Sequence, residues 1–211
     1  MNITMLGAQG SGKGTQATII SERRGLLHIS MGDLLREIAE SGTELGETIK
    51  EFLHAGSLVP DDVVVDMIKQ RIDQPDAEKG VILDGFPRTL AQAKALDPFF
   101  PVDVVLSIEI SDALAIQRLS GRVQCKQCRE VYGVENPPLE EGICDKCYGQ
   151  LYHRDDDRPD AIAKRLEQFH KEIKPLLAHY REKLHRVNGE ATIEEIAEEI
   201  NVILDSMEKT E

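Results

Sequence analysis

The chain contains no tryptophan, and aromatic residues make up only 4% of its 211 positions. Positive charge is also scarce: 25 Lys and Arg stand against 38 Asp and Glu, a formal net charge of −13. A surface of that sign repels nucleic acid and anionic membranes, so any bound phosphate must be held by a local cluster of basic groups. No apolar run approaches the roughly 18 residues that cross a bilayer. Met1–Leu6 lacks the basic start and long apolar stretch of a signal peptide. Cysteine is missing everywhere except Cys125–Cys147. These absences lead us to expect a cytoplasmic protein with neither a membrane nor a nucleic-acid partner and, lacking an exposed apolar seam, a monomer.

The residues present suit one α/β domain with one or two insertions: 41% are hydrophobic and 30% charged. Short apolar runs alternate with amphipathic stretches, the pattern of βαβ units on a parallel sheet. Strands are predicted at Asn2–Leu6, Leu26–Ser30, Val81–Asp84, Val104–Ile110 and Leu184–Val187. Helices are predicted at Lys13–Arg24, Asp33–Glu40, Glu44–Ala55, from Pro60 onward, Thr89–Phe100, Asp112–Ser120, Pro159–Arg186 (overlapping the last strand) and Thr192–Met207. The alternation breaks over Arg122–Asp157, which holds all four Cys, three of the four Tyr and Pro137-Pro138. It reads as a small metal-organised hairpin module inserted into the α/β frame.

Gly7-Ala8-Gln9-Gly10-Ser11-Gly12-Lys13 follows a predicted strand and opens a predicted helix. In that context backbone N–H groups turn inward around phosphate oxygens, the glycines permit close approach, and the helix N-terminus adds positive potential. Lys13 is placed to bridge the outer phosphates. The hydroxyl that usually follows the lysine and binds magnesium is absent, because position 14 is Gly and Thr15 comes one step later. Mg²⁺ is therefore expected to rely on the nucleotide, water and another acid. Leu83-Asp84-Gly85-Phe86-Pro87-Arg88 supplies one at the C-terminal end of a strand, where open α/β sheets bind ligands. Asp84 can anchor the water shell of Mg²⁺, and Arg88 can grip a phosphate through its fork of donors.

Cys125-x-x-Cys128 is followed after fifteen residues by Cys144-x-x-Cys147. Two such knuckles fit a tetrahedral Zn²⁺ closed by four thiolates, a structural site with no open position for catalysis. Iron or cobalt would accept the same four sulfurs. His153, close by, reads as a surface residue. Paired knuckles also occur in nucleic-acid-binding ribbons, but Arg122–Arg158 carries six Lys and Arg against eight Asp and Glu, the wrong sign for a phosphate backbone.

Taken together, the G-x-G-K-G-T loop, Leu83–Arg88, and Ile29-Ser30-Met31-Gly32-Asp33 with Arg36 resemble the motifs of adenylate kinases, in the same order and over nearly the whole chain. The resemblance implies a P-loop kinase fold: a parallel sheet flanked by helices, a helical monophosphate-binding insertion and a small metal-bound lid. Its parts would be a core at 1–29, 60–121 and 160–211, an arm at 30–59 and a lid at 122–159. It implies reversible transfer of a phosphoryl group from ATP to AMP, giving ADP, with Mg²⁺ and structural Zn²⁺ as cofactors. ATP would lie along Gly10, Ser11, Gly12, Lys13, Gly14 and Thr15, with Arg118, Val131, Tyr132 and Ala191 near its base and ribose and Arg122 near its phosphates. AMP would meet Met31, Arg36, Ser57, Leu58, Val59, Gly85, Phe86, Pro87, Arg88 and Gln92. Arg154 and Arg165 would reach the transferring phosphates, and Asp156 and Asp157 would orient the lid arginines. One of the acids Asp155–Asp157 is expected to cap the following helix, with Pro159 at its first position.

Two residues depart from the family pattern. Met31 replaces the usual Thr beside the AMP base, and Val123 stands where relatives carry a second Arg. Three other readings remain open: a UMP/CMP or GMP kinase of the same fold, a P-loop protein that binds ATP without turnover, and a nucleic-acid-binding zinc module. A GTPase is disfavoured because no Asn-Lys-x-Asp segment is present.

Overall fold

The computed structural model describes residues 1–208; the last three residues of the predicted 160–211 core span lie outside it. Five strands, β1 (Ile3–Leu6), β2 (Leu27–Ser30), β3 (Val81–Asp84), β4 (Val104–Glu109) and β8 (Leu184–Asn188), form one sheet in the order β2-β3-β1-β4-β8. Every pairing is parallel. Strand side chains alternate between faces. Val81, Leu83 and Val105 therefore join one apolar cluster, while Ile3, Met5, Ile82, Leu106 and Ile108 join the other. Helices α4 (Asp61–Ile72), α5 (Leu90–Leu96) and α7 (Pro159–His179) cover the first face through residues such as Ile68, Leu96 and Leu176. Helices α1 (Lys13–Arg24) and α8 (Ile193–Glu208) cover the second through Ile20, Ile200 and Leu204. Both faces being buried explains why the strands read as continuous apolar runs.

Between β2 and α4 the chain folds α2 (Met31–Ala39) and α3 (Glu44–His54) as a pair. Ser30 and Thr43 cap them by accepting from the Asp33 and Gly46 N–H groups. After α6 (Asp112–Ser120) a separate antiparallel sheet appears, β6-β5-β7, built from Val131–Tyr132, Val123–Cys125 and Leu151–Tyr152. Its small core is Cys125, Tyr132, Cys144 and Leu151.

Two helices are shorter than the sequence suggests. The span predicted for α5, Thr89–Phe100, ends at Leu96: the Leu96 carbonyl is shared by the Phe99 and Phe100 N–H groups in a last turn, and Pro101 disfavours helical backbone at Phe100. Thr89 is its N-cap, the hydroxyl accepting from Gln92 N–H. The helix predicted over Pro159–Arg186 ends at His179, because Leu184–Asn188 is drawn off to pair with β4 as the sheet's fifth strand. Pro159 opens that helix as expected, yet no acid caps it: Arg158 is the N-cap and makes no side-chain cap bond.

Candidate active site

The strand order puts β1 beside β3 with Met5 level with Asp84. The glycine loop after one strand and the Asp84–Arg88 segment after the other thus emerge side by side. Gly7 sits at φ 141°, and a Cβ there would fall 2.3 Å from the Ile108 carbonyl, so only glycine lets the loop turn so close to β4. Position 14 has a milder constraint: a Cβ would stand 3.2 Å from Asp84 Oδ2, close enough to ask that carboxylate to shift. The missing hydroxyl and the nearby acid are two sides of one arrangement. Lys13 Nζ donates to the Gly7 and Ala8 carbonyls at 2.8 and 2.7 Å. Burial pulls the Lys13 ammonium down to about 8; Asp84 opposes the shift, and Arg88, Arg165 and Arg122 add to it.

Five arginines converge from separate segments. Arg88 donates through Nε to the Gly85 carbonyl at 2.7 Å, and burial together with Arg165 lowers it to about 10 against the pull of Asp84. Arg154 is lowered to about 9 by burial and by its neighbours Arg122 and Arg36, and it donates to Gln124 Oε1 at 2.8 Å. Arg36 donates to Asp33 Oδ1 at 2.7 Å, while its buried Nε has no partner. Arg122 grips Asp157 with two bonds of 2.7 and 2.6 Å. Arg165 reaches Asp156 at 3.1 Å and Asp157 at 3.2 Å. Burial would raise the Asp156 carboxyl, but Arg165, Arg36, Arg122 and Arg154 together hold it below the usual range. Asp155 is exposed and outside this network.

These groups border a cleft of about 710 Å³. Its lining takes in Gly10, Ser11, Gly12, Lys13, Gly14, Thr15, Arg36, Ser57, Leu58, Asp84, Gly85, Pro87, Arg88, Arg118, Arg122, Val131, Tyr132, Arg154, Asp156, Arg165 and Ala191. Met31, Val59, Phe86 and Gln92 border an adjoining small hollow that shares Leu58, Gly85 and Arg88 with the cleft. The Met31 side chain is 1% exposed and packs into the core. Asp157 stands behind Arg122 and Arg165, and Val123 is a partly buried strand residue of the module.

The four cysteine sulfurs lie within 4.8 Å of one another, with Cys125–Cys147 at 3.4 Å and Cys128–Cys144 at 3.5 Å. A tetrahedron with bonds of about 2.3 Å has edges of about 3.8 Å, so the cluster can hold a metal ion. His153 lies outside it, exposed, with Nδ1 3.1 Å from the Arg122 carbonyl oxygen.

The family model described as adenylate kinase matches residues 5–185. An adenylate kinase of Methanothrix thermoacetophila is 46% identical over 97% of this chain and 98% of its own. One from Archaeoglobus fulgidus is 44% identical over 98% and 99%, and one from Caldicellulosiruptor saccharolyticus 47% identical over 87% and 88%. The chain belongs to the adenylate kinase family. It is accordingly a phosphotransferase of the nucleoside monophosphate kinase class, with the P-loop fold that the parallel sheet displays. Among the described residues no helix is long and apolar enough to cross a membrane.

Within this adenylate kinase site, several residues carry no motif and escaped the sequence reading. His28, on β2, faces Asp84 across 3.7 Å, and its buried Nε2 has no hydrogen-bond partner. His28, Lys13 and Arg88 together hold the Asp84 carboxyl below the usual range, against the upward push of burial. Asp61 reads in sequence as a first-turn helix acid, yet it accepts from Gln92 at 2.7 Å and Thr89 at 3.1 Å. Gln92 in turn accepts from the Arg88 backbone N–H at 2.6 Å. Gln124, 1% exposed, orients Arg154. The one available signal was alternation along β2, which places His28 on the same face as Ser30.

Proposed function

We propose that this adenylate kinase transfers the γ-phosphoryl group of ATP to AMP, reversibly, giving two ADP, and that the cleft residues divide between the two nucleotides. Gly10–Thr15 cradle the ATP phosphates, and Arg118, Val131, Tyr132 and Ala191 border its base and ribose. Arg36, Ser57–Val59, Gly85–Arg88 and Gln92 hold AMP, with Met31 backing its base. The observation that carries the reading is the convergence of Lys13, Arg36, Arg88, Arg122, Arg154 and Arg165 on one cleft in a chain of net charge −13. Such a cluster neutralises and aligns two polyanions, which is most of what phosphoryl transfer requires. The unpartnered Arg36 Nε supports a phosphate beside it. Asp156 and Asp157 hold Arg122 and Arg165 in register while the cleft is closed.

Magnesium would enter with ATP and be held through Asp84, whose carboxylate fits a hard cation and whose approach Gly14 leaves clear. It would neutralise charge on the donor phosphates. The four cysteines, as thiolates, suit Zn²⁺, which would stiffen a module too small to hold a core of its own. On this reading residues 122–159 are the lid and 30–59 the monophosphate arm, each attached to the core 1–29, 60–121 and 160–211. A monomeric cytoplasmic enzyme without a nucleic-acid partner fits the acidic surface.

A coupled assay of ATP against AMP, UMP, CMP and GMP tests the acceptor, with AMP expected to be preferred. Lys13→Met and Arg88→Ala should each lower kcat about 10²–10³-fold without unfolding the protein. Near-normal turnover in either variant would overturn the assignment.

A further inference from the structure

Arg118, near the C-terminal end of α6, is held at all three nitrogens of its guanidinium by two groups distant in sequence. Nη1 donates to the Gly189 carbonyl at 2.9 Å, in the turn between β8 and α8. Nε donates to Glu135 Oε1 at 3.1 Å, and Nη2 lies 2.9 Å from Glu135 Oε2. The two-point pairing of a carboxylate with the Nε–Nη2 side fixes the plane of the group, which a single contact would leave free to rotate. With its Nε–Nη2 edge paired and Nη1 bonded, the guanidinium keeps both flat faces free, and flat cationic faces stack on nucleobases. Arg118, Glu135 and Ala191 all border the cleft, and the Arg118 side chain is 17% exposed.

We infer that Glu135 is a positioning residue that sets the plane of Arg118 for stacking on the base of the phosphoryl donor, and that it does so from the three-stranded module. The inference rests on the proposed placement of the ATP base beside Arg118. Glu135 lies in the loop after β6, whereas Arg118 and Gly189 belong to the elements around the large sheet. The pair therefore forms only when the module is down over the cleft. Base stacking and closure then favour each other: a seated base orders Arg118, and an ordered Arg118 gives Glu135 its partner. A nucleotide lacking the base gains nothing from this contact, so the effect belongs to the donor's base and leaves the acceptor side alone.

The test is steady-state kinetics on Glu135→Ala, Glu135→Asp, Arg118→Ala and the double variant, with melting temperature measured on each. Glu135→Ala should raise KM for ATP about five- to tenfold, with kcat and KM for AMP kept within about twofold. Glu135→Asp, which retains the carboxylate, should recover part of that loss. In the Arg118→Ala background, Glu135→Ala should add nothing further, because its effect passes through Arg118. An unchanged KM for ATP in Glu135→Ala, or effects that multiply in the double variant, would overturn the inference while leaving the ATP-site reading intact. If Arg118→Ala itself leaves KM for ATP unmoved, the base does not lie there, and both statements fall.

Discussion

Lys13 shows at the scale of one residue how a phosphate loop holds its cation. Its ammonium is parked on the Gly7 and Ala8 carbonyls, and burial among cations brings it down to about 8. The charged form is thus only half-populated in the free protein near that pH and is lost as pH rises further. A polyanion at the loop restores the preference for the ammonium, so binding must take up a proton. We expect ATP affinity to weaken above about pH 8, and calorimetry in buffers of different ionisation enthalpy to record proton uptake on binding there. Lys13→Met should abolish the uptake. Residues of this kind were legible in the chain because their chemistry is local: a lysine at the end of a glycine loop, an arginine four places after an acid. Gln124 and Asp61 were not, because each acquires its role from a partner 30 or 31 residues away that no spacing rule connects.

At the scale of elements, legibility followed the same line. α1 and α6 begin and end where the sequence places them, each stopped by a glycine. α7 is shorter than its helical pattern because β4 claims the residues that follow, a competition visible only once the sheet is assembled. The strands β6 and β7 are two residues long, too short to show a period. The Cys-x-x-Cys spacing survived as a signal because it demands nothing of secondary structure. With Cys125 and Cys144 fully buried in a core of four residues, the module has little else to fold around. If the four cysteines hold Zn²⁺ as proposed, a strong chelator should lower the melting temperature on the order of 10 °C. Enzyme that is still folded should lose much less of its turnover. Full inactivation with an unchanged melting curve would contradict a structural role.

The whole molecule is drawn closed by contacts that bypass the substrates. Arg129 of the three-stranded module meets Glu40 at the end of α2 at 3.1 Å, and Gln124 reaches Asp33 at 3.4 Å. Arg158 donates to the His54 carbonyl at 2.8 Å, and Lys164 to Ser57 at 2.7 Å. The Arg129–Glu40 pair is exposed on one side, with Glu40 63% accessible, so it is worth at most about 1 kcal/mol. Glu40→Ala should therefore raise KM for ATP and AMP together, each by less than about fivefold, with the melting temperature unmoved. A change in one KM alone would show that the pair serves a single nucleotide and not closure. Asp33, Asp84, Asp156 and Asp157 are tolerated near one another because cations are interleaved with them: Arg36 beside Asp33, His28, Lys13 and Arg88 around Asp84, and Arg122 and Arg165 on Asp156 and Asp157.

The bare Cα at position 14 has an implication for how such a chain can change over time. A methyl group there would press on the carboxylate across from it, so a side chain at that position asks the acid on the neighbouring strand to shift by a few tenths of an ångström. The pressure runs one way: the acid limits what the helix position can carry, while the glycine places no limit on the acid. A lineage that acquired a hydroxyl beside its lysine would be expected to keep its strand-end acid, swung slightly aside, because the two together can hold one cation.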